Sequence, residues 1–324
     1  MWESLRLLSL DIGLPIAVGY LLRKGTLRHR AVWTRVFDRL IDLNVLLLVS
    51  ALSLLTFWSL KLEATLLLLP LLAGAVNQCS GAVGFRRAAR LYADAPGSRG
   101  AYGMACLLSN RNTAGAIAVF ILFGEGGYAL SRLFTCLNWV YVFLAYPVAA
   151  AYSPRARAGA VPGNRLLAIG RGLFHWRQIG LLAMAAGVAL QWHGVDRPEA
   201  CAAWTPWLVR LSAWGFLLPV GYDLEIRRVR SVRHDWLFLS MVKFIVAPAA
   251  GAALAWACGF RGWQLYTLVT LSASPVAIQA VAITRMFSLD LPLVMGAFLI
   301  TQSLFLFLIL PLLSALFSPI ASIP

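Results

Sequence analysis

Apolar runs long enough to cross a bilayer follow one another from one end of this chain to the other, with short connections between them. No soluble core could use so much apolar surface. Of 324 residues, 60% are hydrophobic and 13% charged, and the mean hydropathy is +0.76, so lipid must be part of the solvent. The runs predict ten spans, at about 5–22, 36–58, 64–85, 101–123, 128–151, 176–194, 203–223, 235–258, 264–284 and 291–317. They leave no room for a sizeable soluble domain. The expected class is an all-α polytopic membrane protein.

The formal charge of +15 does not point to nucleic acid. The positive residues sit in short loops, as membrane topology requires, where they also meet anionic lipid headgroups. Arg23, Lys24, Arg28, Arg30 and Arg35 follow span one, and Arg86, Arg87, Arg90 and Arg99 follow span three. Arg155, Arg157, Arg165, Arg171 and Arg177 follow span five, and Arg227, Arg228, Arg230 and Arg233 follow span seven. The alternate loops hold little: Lys61 and Glu63, then Glu125, then Asp196, Arg197 and Glu199, then Arg261. This pattern puts both termini outside the cytoplasm, in a membrane of the bacterial cytoplasmic type. The opening MWESLRLLSLDIG has no basic n-region and no cleavage site, so the first run is expected to stay as a span. The five cysteines are scattered, without CxxC or metal spacing, and read as small buried hydrophobes. No metal and no cofactor is expected.

The run from Ala101 to Gly124 carries Ser109, Asn110, Arg111, Asn112 and Thr113 in its middle. Such a cluster is costly near a bilayer midplane. A span that holds it breaks there and faces protein or water rather than lipid. Span nine contains LSASPVAIQAVAITR, where Pro275 lacks a backbone donor and must kink or unwind the helix beside Ser272, Ser274 and Gln279. Both spans are fourth in their half, about 165 residues apart. The Pro-, Gly- and Arg-rich connection SPRARAGAVPGNRLLAIGRG separates them, giving a five-span repeat at 1–158 and another at 159–324. An odd number of spans per repeat forces the second to insert upside down. Paired interrupted spans in matching positions are the pointer to a transport site.

From here the chain resembles the auxin efflux carrier family, within a larger group that includes bile-acid-type transporters. The family's span-four pattern, N-x-G-x-x-G-x-P followed by F-G-x-x-G, fits without a gap. Asn110 stands at the Asn, Gly115 at the second Gly, and Phe123-Gly124-Glu125-Gly126-Gly127 at the closing segment. Asn112 replaces the first Gly and Ile117 the Pro. IGLPIAVGYLLRKG, VKFIVAPAA, SPVAIQAVAI and ITQSLFLFLILPLLSAL also resemble family spans, while span two has Asn44 about where a Pro is usual. The resemblance implies two inverted five-helix repeats with crossed, broken helices four and nine, similar to sodium/proton antiporters. It implies a scaffold of spans one, two, six and seven, a transport domain of the other six, and a homodimer through the scaffold. Family members carry organic anions.

Candidate residues follow from chemistry. Asn110 and Asn112, with Thr113, either bind substrate or satisfy backbone groups freed at the break. Arg111 offers a fork that matches a carboxylate, reinforced by half-helix N-termini; otherwise it pairs with an acid such as Asp42 or with a half-helix C-terminus. Ser274, Pro275 and Gln279 are the matching element in span nine. Lys243 lies in the middle of span eight, too deep to snorkel. It is a fixed cation in place of a metal ion, a group that gains and loses a proton, or a partner for half-helix carbonyls. Asp42 is a candidate for a coupling proton.

The expected function is a secondary carrier or facilitator of a small organic anion, working by alternating access and not as an enzyme. No Walker-type motif is present, which leaves an ion gradient, of protons or sodium, or the membrane potential as the driving force. The alternative is a polytopic enzyme of lipid or prenyl transfer. That chemistry needs clustered carboxylates or a His/acid pair at a membrane face; no HExxH occurs, and the DxxxD spacing of Asp38 and Asp42 is flanked by Arg35 and Arg39.

Overall fold

The computed structural model describes residues 10, 13–26, 29–60, 63–154, 179–223 and 236–321. Arg28, Lys61 and the arginines of 155–178 and 227–233 lie outside them.

The protein is an all-α membrane protein, and no strand occurs among the described residues. Five helical stretches there are long and apolar enough to cross a bilayer: Val32–Ser59, Ala64–Leu91, Arg111–Tyr152, Trp236–Ala257 and Leu291–Phe317. Their outer faces carry Leu71, Leu237 and Phe307, each more than 60% exposed. Water would not tolerate such a perimeter, whereas hydrocarbon does.

In chain order the helices are α1 (Leu14–Thr26), α2 (Arg30–Leu43), α3 (Ser50–Ser59), α4 (Leu69–Leu91), α5 (Pro96–Leu107), α6 (Ala116–Thr135), α7 (Asn138–Tyr152), α8 (Ile179–Trp192), α9 (Glu199–Asp223), α10 (Trp236–Met241), α11 (Ala247–Ala257), α12 (Gly262–Ser272), α13 (Ile278–Met286), α14 (Leu291–Leu304) and α15 (Leu310–Ala321). Single π-helical turns at Asn44–Val49, Val242–Val246 and Phe305–Ile309 join α2 to α3, α10 to α11 and α14 to α15. A fourth, Arg111–Gly115, opens α6. A π-turn adds one residue to the turn and swings the side chains beyond it to a new face. Asn44, Arg111 and Lys243, three buried polar residues, all sit in such turns.

The helices form two neighbourhoods. In one, α1 lies along α9 and α3 along α8, while α9 also packs on α2. Asn44 joins this group from its π-turn, donating from Nδ2 to the Ser212 carbonyl at 2.8 Å. In the other, α4 packs on α5 and α11, α12 on α11 and α6, and α14 on α5 and α13. The largest buried cluster lies in this second group, with Tyr102, Met104, Ala280, Val294 and Phe298 among its members. Asp290 fixes one rim of it. Its carboxylate caps α14 by accepting from the Leu293 N–H at 3.2 Å, and accepts from the Ser98 hydroxyl at the start of α5 at 2.8 Å.

Candidate functional site

Two helices stop short in the middle of the protein and meet end to end. The chain leaves helical geometry at 108–110, between α5 and the π-turn before α6, and again at 273–277, between α12 and α13. Each break strands backbone donors and acceptors where no water competes, so they must find partners. They find one another. The Asn110 N–H donates to the Pro275 carbonyl at 2.8 Å, and the Ala277 N–H donates to the Leu108 carbonyl at 3.1 Å. Ser109 and Val276 thereby form an isolated antiparallel bridge. The Val276 N–H donates sideways to Thr301 Oγ1 at 3.1 Å. Pro275 suits its place because it has a carbonyl to offer and no N–H to strand.

The close approach of the two breaks needs a small residue. A Cβ on Gly115 would come within 2.5 Å of Ser274 Oγ. Ser274 is fully buried and turns its hydroxyl back to the Leu271 carbonyl at 2.7 Å, satisfying one acceptor at the end of α12.

Lys243 closes the end of α5. It has no exposed surface and donates to the Cys106 carbonyl at 2.8 Å, to the Leu108 carbonyl at 2.9 Å and to Ser109 Oγ at 2.9 Å. Three acceptors surround one ammonium group with three protons. The last carbonyls of a helix carry about half a negative charge, so the interaction is electrostatic as well as directional. These bonds make Lys243 a partner to the half-helix carbonyls, one of the three roles open to it in the sequence.

Arg111 points elsewhere. It is 3% exposed and donates from Nη1 to the Ala73 carbonyl of α4 at 2.9 Å. Its guanidinium lies over the Phe134 ring, 5.2 Å from the centroid. Nε and Nη2, which form the side-on fork of the group, are buried and have no partner among the described residues. A carboxylate or phosphate is the natural complement to that fork. Asp42 does not supply it. Asp42 lies on α2, which packs on α1 and α9, and its surface is only partly buried.

Asn112 and Thr113 face a third direction, toward α3 and α9. With Val49, Tyr128 and Ser212 they line a small cavity of about 10 Å³. Asn44 Oδ1 is buried without a partner close to Ser212. The five consecutive polar residues are thus split. Asn110 contributes backbone to the crossing, Arg111 faces α4, and Asn112 and Thr113 face the other helix group. Gln279 sits partly buried on the first turn of α13.

Sequence reasoning passed over Asn77 and Gln302. Asn77 Oδ1 and both amide atoms of Gln302 are buried without a partner. The available signal was an amide side chain inside an apolar run.

Among the described residues no aspartate or glutamate is buried, while Arg111 and Lys243 both are. Burying a charge costs several kcal/mol after relaxation unless an opposite charge or dipole compensates it. The end of α5 partly compensates Lys243. The helix N-termini at Arg111 and Ile278 add positive potential to the same region. The crossing therefore carries excess positive charge, which suits an anion. No family model matches the chain, and no curated protein matches it.

Two substitutions test this geometry by thermal or denaturant unfolding in detergent. Lys243→Met should destabilise the protein by about 2–4 kcal/mol, since it leaves the Cys106 carbonyl and the Ser109 hydroxyl without their donor. Lys243→Gln, which retains an N–H₂ group, should cost less. Gly115→Leu should cost about 1–3 kcal/mol through overpacking against Ser274.

Proposed function

We propose that this chain is a secondary carrier or facilitator of a small organic anion, a divergent member of the auxin efflux carrier family, and not an enzyme. The observation that carries the reading is the crossing of two interrupted helices that holds two buried basic side chains, with no buried carboxylate among the described residues. A purely structural break would need its carbonyls and N–H groups satisfied. It would have no need of a second buried cation whose side-on fork lacks a partner.

The finer architecture belongs to the same proposal. It comprises ten spans in two inverted five-helix repeats, at 1–158 and 159–324, with both termini on the non-cytoplasmic side of a cytoplasmic membrane. The antiparallel exchange of hydrogen bonds between 108–110 and 275–277 supports it, because two upside-down repeats would meet in this way. The two packing neighbourhoods support a scaffold of spans one, two, six and seven, represented by α1, α2–α3, α8 and α9. The remaining helices make up the transport domain. Asn112 and Thr113 lie where the two groups meet, the surface that opens and closes as one group moves against the other.

In this reading Arg111, with its open fork, holds the anion beside the crossing, Asn112 and Thr113 line its path between the two helix groups, and Asn110, Ser274, Pro275 and Gln279 belong to the crossing that positions Arg111. Lys243 is a resident counter-charge for the end of α5, so no metal ion is needed there. An anion that leaves a cell with an inside-negative potential gains about 2.3 kcal/mol per 100 mV. Export then needs no coupled ion.

Two measurements test the proposal. In proteoliposomes, Arg111→Gln, Asn110→Ala and Pro275→Ala should each reduce carboxylate flux by about tenfold or more, the effect of roughly 1.4 kcal/mol lost from transition or bound states. Normal flux in all three would remove the site from the crossing. Imposing an inside-negative potential with a potassium gradient and valinomycin should accelerate efflux of a monocarboxylate. A rate indifferent to potential would exclude uncoupled movement of the anion. The substrate itself is sought by thermal-shift screening against mono- and dicarboxylates, amino acids and indole acids, since a binder stabilises the folded state by mass action.

A further inference from the structure

Glu125 and Arg197 form an ion pair at 2.8 Å between Oε2 and Nη1, both side chains being largely covered. They come from different helix groups. Arg197 lies in the connection from α8 to α9, and two bonds hold that connection on α3: Trp58 Nε1 donates to the Val195 carbonyl at 2.6 Å, and Arg197 donates to the Leu55 carbonyl at 3.3 Å. Glu125 lies on α6, one residue after Gly124. Gly124 has φ 64° and ψ −152°, a backbone conformation that side-chain-bearing residues rarely adopt, and α6 kinks there. The pair therefore ties the kinked segment of α6 to a connection anchored on the neighbouring group.

At the same interface, Leu52 of α3, Ala116 and Tyr128 of α6 and Val209 of α9 form a small buried apolar cluster, with the Phe120 ring edge-on to Tyr128. The small cavity of Asn112 and Thr113 adjoins that cluster, and Ala116, Tyr128 and Val209 line both. Glu125 of the ion pair precedes Tyr128 by three residues on α6.

We infer that the Glu125–Arg197 pair is the latch that holds one entrance of the protein shut, with Leu52, Ala116, Tyr128 and Val209 as the seal beneath it. The inference rests on the carrier reading, in which these two residues belong to the moving and the fixed group on the non-cytoplasmic side. Breaking the pair removes a charged tie between the two helix groups and leaves the apolar seal. Gly124 then lets the outer part of α6 swing away from α3 and α9, so that water and anions reach Asn112 and Thr113. Arg197, released from Glu125, becomes a cation at the mouth of that path.

The test reads opening without any substrate. Val209→Cys is introduced into the full chain, and labelling by a membrane-impermeant maleimide is followed in spheroplasts above the background of the five native cysteines. Labelling should be slow with the pair intact and rise roughly fivefold or more with Arg197→Gln or Glu125→Gln, a modest population shift of the size one partly exposed ion pair provides. The exchanged pair, Glu125→Arg with Arg197→Glu, should restore slow labelling. Leu130→Cys, buried away from the seal, should stay unlabelled throughout. Unchanged labelling in the single variants overturns the latch, and so does labelling of Leu130→Cys in the same variants, because the helix has then come loose altogether. A failed latch leaves the carrier reading standing. Flux lost or absent while the latch still opens counts against the carrier reading alone.

Discussion

One buried ammonium group holds the centre of this protein together. A helix that stops inside a membrane bundle leaves its last carbonyls with no water to bond, and each would cost a kcal/mol or more if left alone. Lys243 reaches three acceptors at that end, two carbonyls and the Ser109 hydroxyl. The π-turn that contains Lys243 sits beside the break and gives the side chain its direction. The other loose groups pair across the crossing, so that two interrupted helices replace the internal bonds each has lost. The exchanged backbone bonds fix the two breaks against one another, and a site assembled on the crossing inherits that placement.

The electrostatics follow from the same arrangement. Lys243 is spent on structure, whereas Arg111 is not. Arg111 is anchored by one nitrogen on Ala73 and by the Phe134 ring, which leaves the guanidinium fixed in place with its side-on fork free. A carbonyl can hold such a group, but it cannot neutralise it. Proteins rarely bury a full charge without use. Both cations and both half-helix N-termini act in the same sense, so the positive potential at the crossing arises from the backbone as much as from side chains. The kink at Gly124 and the ion pair beyond it add a second scale of organisation. Backbone bonds define the crossing, and a partly exposed ion pair ties the two helix groups beyond it.

Much of the plan was legible before folding. The polar run at 109–113 marked the break at 108–110, because lipid forbids such a cluster on an intact, exposed helix. Pro275 marked the break at 273–277 for a local reason that holds in any fold. Lys243 stood out as a cation too deep to snorkel. The division of labour among Asn110, Arg111 and Asn112 was not legible. Three neighbours in sequence read as one cluster, yet a helical turn rotates successive side chains by about 100°. They serve three surfaces accordingly. Gln302 and Asn77, each a lone amide in an apolar run, carried a weaker signal of the same kind and were passed over. The partnership of Glu125 with Arg197 joins two charges whose separation in the chain says nothing about distance.

The amino-acid sequence by itself determined that this chain dissolves in lipid as helices, and where two of those helices could not continue. Both conclusions are local: they depend on transfer of residues from water to hydrocarbon and on what a proline or a polar cluster does to its own turn. Tertiary structure alone decided which carbonyls Lys243 would satisfy, which way Arg111 would turn, and which group would be left with an open fork. Those choices depend on distances of a few ångströms between segments far apart in the chain, and hydrogen bonds lose their strength over less than one ångström.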